Sequence, residues 1–286
     1  MSGRVAAGGA VRQASLRRLR EFGIRPDREL GQNFLIDDNL LGVIGAAAGL
    51  GPDDVVLEVG GGLGVLSEYI APRVGHLHVL EIDASLASAL EDALAPFRNA
   101  TLRFADAARL DLSTLRPAPT KLVANLPYGV AATMLLKGLE ELPSLDLSVA
   151  MAQREVAERL AAPPGSKHYG ATSVLAQLSC EVHVLRRVAR TVFHPVPKVE
   201  SALVRLRRVL PRPAPEVVAL VRAAFAHRRK ALPGSLALAP GAHPGVRERA
   251  RLALTAIGHP PDARAERLSP VDFAALAERL GAPDAP

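Results

Sequence analysis

The stretch that decides the fold is Val55-Val56-Leu57-Glu58-Val59-Gly60-Gly61-Gly62-Leu63-Gly64. Its first half is β-branched and apolar, which predicts a buried strand. Its glycines predict a sharp turn whose backbone lies against a ligand at the start of a helix. A dinucleotide fingerprint, G-x-G-x-x-G, would need a third glycine at position 65, where the chain has Val65. The spacing G-x-G-x-G therefore indicates a nucleotide-type site of another kind.

Acidic residues stand at the ends of the next two predicted strands. Glu81 lies 21 residues beyond Gly60, at the carboxyl end of strand 77–82, where such folds place an acid that binds ribose hydroxyls. Asp106 follows strand 101–105, and its carboxylate could accept a hydrogen bond from the amine of a cofactor adenine. The alternative is a plain tight turn with solvated acids. A glycine loop and two acids at three successive strand ends make that alternative weak.

The pattern around these strands indicates the fold class. From residue 55 onward, β-branched runs at 55–59, 77–82, 101–105 and 121–125 alternate with Ala/Leu-rich helical stretches. This alternation predicts right-handed βαβ units, and so an α/β fold with a parallel sheet. A further strand at 147–153 and strands at 182–187 and 201–208, pairing as edge or hairpin strands, complete the sheet. The ordered set resembles the Rossmann-like S-adenosylmethionine methyltransferases.

Three parts are expected along the chain. Residues 1–13 are small and Gly/Ala-rich, which predicts a disordered tail before a short basic helix at 15–22. Residues 14–210 form the methyltransferase domain. Pro211, Pro213 and Pro215 break both helix and strand and mark its end. Residues 216–286 then form a small all-α domain with helices at 216–230, 246–257 and 270–280.

Composition narrows the class of protein. The longest nearly apolar stretch, 40–51, is much shorter than the roughly 20 residues that a bilayer helix needs, and the N-terminus has no apolar signal core. A single cysteine, Cys180, cannot form an internal disulfide, and the 8 histidines form no zinc-ligand cluster. We therefore expect a cytoplasmic, monomeric protein without metal or membrane contact.

Charge favours an anionic partner. The net charge is +6 and the isoelectric point is about 10.0, although an arginine-rich composition alone could produce both. Residues 186–230 hold twelve basic residues against two acids, which is typical of a surface that follows phosphates. The twelve are Arg186, Arg187, Arg190, Lys198, Arg205, Arg207, Arg208, Arg212, Arg222, Arg228, Arg229 and Lys230.

The candidate chemistry lies in Asn125-Leu126-Pro127-Tyr128, at the end of the fourth strand. An adenine amine is a poor nucleophile because its lone pair is delocalised into the ring. Acceptors from the Asn125 side chain and the Leu126 carbonyl would favour a more pyramidal nitrogen. Tyr128 offers a stacking face for an extruded base, and Phe193 on a proline-flanked loop could clamp its other side. The alternative is an ordinary turn with Phe193 as a loop anchor.

Together, these segments resemble the ribosomal RNA adenine dimethyltransferase family, and within it the bacterial small-subunit enzymes. The matching segments span most of the chain: 30–37 (LGQNFLID), the glycine loop, 81–83 (EID), 125–128 (NLPY), 153–156 (QREV), 169–170 (YG), 193–202 (FHPVPKVESA) and 224–230 (AFAHRRK).

The resemblance implies S-adenosyl-L-methionine as cofactor and dimethylation of two adjacent adenines in the 3′-terminal hairpin of 16S rRNA, within the 30S subunit or its precursor. It also implies a role in subunit biogenesis. The roles it implies are cofactor binding near the methionine end by Asn33 and Leu35, a loop contact by Gly60, ribose binding by Glu81, adenine binding by Asp106, and a link between cofactor and target by Asn125. Gly62, in the same glycine loop, is a further cofactor-binding candidate. The basic cluster described above makes Arg228, Arg229, Lys230 and Lys198 the RNA-binding candidates, so the small helical domain is expected to dock RNA.

The chain departs from the family pattern at three points. Gly61 replaces the usual proline or small residue and is expected to loosen the loop; Gly129 replaces a common asparagine; and Pro233-Gly234 interrupts helix-compatible sequence. Two other functions stay open. One is the related large-subunit adenine methyltransferase of macrolide resistance, and the other is a ribosome-assembly factor on a methyltransferase fold.

Overall fold

The computed structural model describes residues 10–27 and 29–281. The described residues divide into two compact units, one within residues 10–157 and 181–208 and the other within residues 158–180 and 209–281. The strands are β1 Phe34–Leu35, β2 Val55–Val59, β3 His76–Glu81, β4 Ala100–Phe104, β5 Lys121–Asn125, β6 Leu147–Gln153, β7 Cys180–Val188, β8 Phe193–His194 and β9 Ser201–Arg208. The α-helices are α1 Ala10–Glu21, α2 Asp38–Ala48, α3 Val65–Ile70, α4 Ala87–Leu94, α5 Ala131–Glu141, α6 Arg154–Leu160, α7 Ala171–Gln177, α8 Pro215–Ala226, α9 Leu232–Leu236, α10 Val246–Ala256 and α11 Pro270–Gly281.

The first unit is built on a seven-stranded sheet in the order β4-β3-β2-β5-β6-β9-β7. Strands β4 to β6 in that order are parallel, and β9 runs antiparallel to β6. The predicted α/β fold is confirmed. Strand β2 has β3 on one side and β5 on the other, so the chain order reverses there. Ligands of such sheets bind at this reversal, beyond the carboxyl ends of the strands.

Both faces of the central strands are buried. Val56 and Leu57, neighbours on β2 that point to opposite faces, are each fully buried, as are Leu122 and Val123 on β5. Sheets covered on both sides carry such continuous apolar runs. Burial of the strands therefore fixes the positions of their carboxyl ends, which carry the polar residues of the candidate site.

The N-terminal elements differ from the sequence-based prediction. Helix α1 begins at Ala10, so residues 10–13 are helical rather than part of a disordered tail, while residues 1–9 lie outside the described residues. Strand β1 pairs antiparallel with β8, with Leu35 opposite Phe193. Sequence periodicity missed this pair because each strand has only two residues.

The second unit gathers helices around its own apolar cluster, which includes Tyr169, Val174, Val221, Leu254 and Phe273. The sequence analysis assigned residues 158–180 to the large domain, whereas the structure groups them with this unit. The physical reason is the burial of residues from this segment, Tyr169 and Val174, in that cluster. The domain boundary predicted at Pro211, Pro213 and Pro215 lies close to Val209, the residue at which the chain returns to this unit.

The described ranges lack both a membrane-spanning helix and a metal-binding cluster. No helix within residues 10–27 and 29–281 is long and apolar enough to cross a membrane. The same ranges hold no group of three or more His, Cys, Asp or Glu side chains arranged to bind a metal.

Candidate active site

The glycine loop connects β2 to α3 and lines a cavity at the sheet reversal. Gly60 and Gly62 have φ angles of 81° and 58°, a region that other residues rarely adopt. A Cβ on Gly62 would lie 3.3 Å from the ring of Phe34, and one on Gly60 would lie 3.4 Å from Pro127. Glycine at these two positions keeps the space beside the loop open.

Gly61 does not loosen the loop as the sequence comparison suggested. A Cβ at this position would lie 2.6 Å from Val79 and 2.9 Å from Leu90, so the backbone here packs directly on the core. The expectation of a looser turn was wrong because it considered only the freedom of glycine and not its neighbours. By contrast, Gly129 faces open space.

Glu81 is a buried carboxylate that joins the loop to the end of β3. Its Oε2 accepts the N–H of Gly62 at 2.9 Å, and its Oε1 accepts those of Ile82 and Asp83 at 2.8 and 3.0 Å. Burial raises its pKa, and the three backbone hydrogen bonds partly oppose that shift. A carboxylate accepts about four hydrogen bonds, so acceptor capacity remains toward the cavity.

Glu58 is a second buried carboxyl group, two residues before the loop. Burial raises its pKa to about 8, opposed by the hydrogen bond that it accepts from the Ser67 hydroxyl at 2.6 Å. The nearby negative charge of Glu81 raises it further. Glu58 is therefore mostly protonated at neutral pH, which avoids a second charge behind the loop.

Two adjoining cavities extend along the strand ends. The first has an empty volume of about 490 Å³ and is lined by Asn33, Gly60, Glu81, Asn125 and Tyr128, among others. The second, of about 760 Å³, shares Gly60 and Glu81 and adds Asp106. The structure therefore brings the loop, both strand-end acids and the Asn125–Tyr128 segment into one crevice.

Asp106 lines the second of these cavities. Its Oδ1 accepts the N–H of Ala108 at 2.9 Å, and its Oδ2 lies 3.4 Å from the Arg109 guanidinium. Ile82, 52% exposed, lines the same cavity and offers an apolar surface. The apolar side chain of Ile82 can pack against an aromatic ring, and the Asp106 carboxylate can accept a hydrogen bond from an exocyclic amine on that ring.

Asn125 is held in one orientation. Its Nδ2 donates to the backbone carbonyl of Asn33 at 3.0 Å, which leaves the amide oxygen as the atom available to the cavity. Within the described ranges, neither this oxygen nor the Leu126 carbonyl accepts a hydrogen bond. Two hydrogen-bond acceptors at the end of β5 can therefore bind a ligand.

Tyr128 follows on the same segment and is half-buried. Its hydroxyl shares a hydrogen bond of 2.7 Å with the hydroxyl of Ser201, at the start of β9. Burial raises the pKa of Tyr128, and this hydrogen bond partly opposes the shift. The contact fixes the ring at the cavity wall.

Two residues predicted for the site lie elsewhere. Phe193, expected to clamp a base, is 1% exposed and packs in the apolar core, since β8 pairs with β1. That prediction is wrong for this structure because the ring has no free face. Leu35, expected at the cofactor, is 5% exposed in the same core, whereas its neighbour Asn33 does line the cavity.

The predicted RNA-binding residues are exposed, but their settings differ. Arg228 pairs with Glu266 at 3.2 Å and donates to the Lys167 carbonyl. Arg229 and Lys230 lie beside it in the turn after α8, which ends at Ala226, four residues earlier than predicted. Lys198 is exposed on a loop of the first unit.

Some cavity residues were missed from sequence. Gln32 lines the first cavity and donates to Asp83 at 2.6 Å, which ties the N-terminal segment to the end of β3. Ile82 and Met134 line the second cavity. The strand-end position of Ile82 could have identified it; nothing in the local sequence marks Met134, which reaches the cavity from α5.

Comparison with known proteins identifies the family. A family model described as ribosomal RNA adenine dimethylase matches residues 25–255. The chain belongs to this family. The match includes every residue of the crevice named above, together with Arg228, Arg229 and Lys230.

Several members of the ribosomal RNA adenine dimethylase family are similar over almost the whole chain. Ribosomal RNA small subunit methyltransferase A of Rubrobacter xylanophilus is 48% identical over 260 residues, which cover 90% of this chain and 95% of the relative. The protein of the same name from Thermobifida fusca is 46% identical over 277 residues, covering 93% and 94%.

Solved structures agree with this assignment. A dimethyladenosine transferase from Plasmodium falciparum has a TM-score of 0.71 at 25% identity, covering 85% of this chain and 95% of that chain. The 23S rRNA methyltransferase ErmE has a TM-score of 0.66 at 29% identity, covering 87% and 99%. The Rossmann-like α/β fold is thus shared with rRNA methyltransferases.

Proposed function

We propose that this protein transfers methyl groups from S-adenosyl-L-methionine to the exocyclic amines of two adjacent adenines in the 3′-terminal hairpin of 16S rRNA, within the 30S subunit or its precursor. Each adenine receives two methyl groups, and the reaction contributes to subunit biogenesis in the cytoplasm. The observation that carries the proposal is the orientation of Asn125, which lines the cavity and whose amide nitrogen donates to the Asn33 carbonyl, so that its amide oxygen is the atom left to accept a hydrogen bond.

The residues present fit S-adenosylmethionine. A Cβ at Gly60 or Gly62 would narrow the space beside the loop, as its close approaches to Pro127 and Phe34 indicate. Glu81 keeps acceptor capacity for ribose hydroxyls, and Asp106 with Ile82 suits an adenine ring. Asn33 lies at the other end, beside Asn125, where the methionine portion belongs.

The cofactor, when bound, supplies a methyl group on a positively charged sulfur. The protein then has to orient the adenine amine and stabilise the charge that develops on its nitrogen. The Asn125 amide oxygen and the Leu126 carbonyl accept the two N–H groups, which holds the nitrogen lone pair toward the methyl group. No general base is needed before attack, because the amine loses its proton afterwards.

Tyr128 completes the target side. Its ring, fixed by Ser201, offers a face on which an unstacked base can lie. With Phe193 buried in the core, stacking in this structure is one-sided. Arg229, Lys230 and Lys198 provide positive charge for the RNA backbone.

Methyl transfer to ribosomal particles tests the substrate. Purified protein and labelled cofactor are incubated with undermethylated 30S particles and, separately, with 50S particles, and the modified nucleosides are then identified. We expect dimethyladenosine only in 16S rRNA. Product only in large-subunit RNA would support the function of the ErmE-like relatives, and RNA binding without transfer would support an assembly factor.

A further inference from the structure

Helix α1 presents two buried polar side chains on one face. Ser15 and Arg18 are three residues apart, so they lie on the same side of the helix. Ser15 is fully buried and Arg18 is 2% exposed, whereas Arg17 and Arg20 are exposed. A buried arginine has a large desolvation cost and persists only when its partners are well placed.

Arg18 reaches the glycine loop. Its Nη1 donates to the Leu63 carbonyl at 3.1 Å, within the turn that connects β2 to α3. The same guanidinium binds both carboxylate oxygens of Glu68, at 2.7 and 2.6 Å, and its Nε donates to Asp92 at 3.2 Å. Arg18 is therefore oriented by α3 and α4 while it holds the loop backbone.

Ser15 reaches the other segment that lines the cavity. Its hydroxyl donates to the Leu35 carbonyl at 2.8 Å in a buried hydrogen bond. Leu35 lies two residues after Asn33, whose carbonyl receives the Asn125 amide. The ring of Phe34, between them, lies against Gly62. The two segments held by α1 thus meet at the cavity.

We propose that Ser15 and Arg18 are positioning residues for the cofactor site, and that α1 sets the spacing between the glycine loop and the Asn33–Leu35 segment. Neither side chain lines the cavity, so both act through the backbone carbonyls that they bind. Loss of either contact lets one wall of the cavity shift, which weakens cofactor binding before it affects the transfer step. This inference rests on the proposed use of S-adenosylmethionine.

The test compares Arg18→Lys and Ser15→Ala with a matched control. Lysine keeps the charge of Arg18 but lacks the planar guanidinium that binds both Glu68 oxygens, Asp92 and the Leu63 carbonyl at once. The control is Arg208→Lys, because Arg208 is a partly buried arginine of the first unit that also donates to backbone carbonyls, those of Leu139 and Leu145, and these two residues line neither cavity. Calorimetry measures the Kd for S-adenosylhomocysteine, and thermal unfolding measures stability.

We expect Arg18→Lys and Ser15→Ala to raise this Kd about tenfold, since each loses a buried hydrogen bond. The turnover number at saturating cofactor should stay near that of the parent. Arg208→Lys should lower stability without changing the Kd. Unchanged Kd in the two α1 variants, or an equal rise in the control, would overturn the inference. Failure of the parent itself to bind the probe would instead contradict the proposed function.

Discussion

The two sides of the crevice are held in different ways. On the cofactor side, Glu81 accepts three backbone hydrogen bonds, and the glycine loop packs on Val79 through Gly61. On the target side, the side chains of Asn125 and Tyr128 make one hydrogen bond each. The cofactor side is therefore held by backbone contacts, whereas the target side keeps hydrogen-bond acceptors that have no partner within the described ranges.

This difference indicates where each function is determined. The cofactor side is preorganised by the fold, so its binding energy depends on several contacts together. The target side depends on the orientation of a few side chains, so single substitutions there should affect turnover far more than folding. The predictions below test that division.

The largest effect is expected for Asn125→Ala. Removing the oriented acceptor should lower turnover about 10²- to 10³-fold, as for other donors or acceptors that stabilise developing charge. RNA binding should change little. Turnover is measured on undermethylated 30S particles, with Asn39→Ala, at an exposed residue of α2, as control. Equal turnover in parent and variant would remove Asn125 from the mechanism.

A smaller loss is expected for Tyr128→Ala. Base stacking on an aromatic ring contributes about 1–3 kcal/mol, so kcat/KM should fall by about 10- to 100-fold. Tyr128→Phe keeps the ring and loses only the contact with Ser201, so it should stay within a few-fold of the parent. Equal losses in both variants would show that the hydroxyl matters and not the ring.

On the cofactor side, the raised pKa of Glu58 predicts that the stability of the protein depends on pH. Its pKa is about 8 in the folded protein against an ordinary value of 4.5, so the folded state holds an extra proton between these values. The free energy of unfolding should therefore fall as pH rises from 4.5 to 8. Glu58→Gln removes this titration. The difference in the free energy of unfolding between this variant and the parent should therefore shift in favour of the variant between pH 4.5 and pH 8, by on the order of a few kcal/mol.

Chemical denaturation across this pH range measures the effect. The control is Glu91→Gln, an exposed residue of α4. A parent and a Glu58→Gln variant with the same pH slope would mean that Glu58 is ionised in the folded protein.

The smallest effect concerns the RNA contacts of the second unit. Arg229→Ala and Lys230→Ala should each reduce the slope of log K against log salt by about 0.7 to 0.9, for one lost phosphate contact. Arg228→Ala should also disturb the pairing with Glu266. Filter binding over a salt series measures the slopes, with Arg251→Ala as control. Unchanged slopes would place the RNA elsewhere.

The sequence was sufficient for the strand-end residues because local pattern determines them. Glu81 and Asn125 each close a β-branched run, and parallel strands bring such ends to one edge. The glycine spacing marked the loop for the same reason. These features depend on neighbours within a few residues, so no knowledge of distant contacts was required.

Distant contacts explain what sequence reasoning missed. Phe193 looked like a loop residue, but its pairing with Leu35, 158 positions earlier, buries it. Arg18 lies in the predicted basic helix at 15–22, and nothing in its local sequence marks it for burial; the structure places Glu68 and Asp92 beside it. Residues 158–180 joined the second unit through Tyr169, whose hydroxyl donates to the Leu268 carbonyl. Local periodicity carries no signal for such pairings.

A crystal structure of the protein with S-adenosylhomocysteine tests the central claim most directly. We predict that the ribose hydroxyls lie on Glu81, that the adenine ring lies beside Ile82 and Asp106, and that the sulfur points toward Asn125. Density for the nucleoside outside this crevice, or a sulfur directed away from Asn125, would contradict the account.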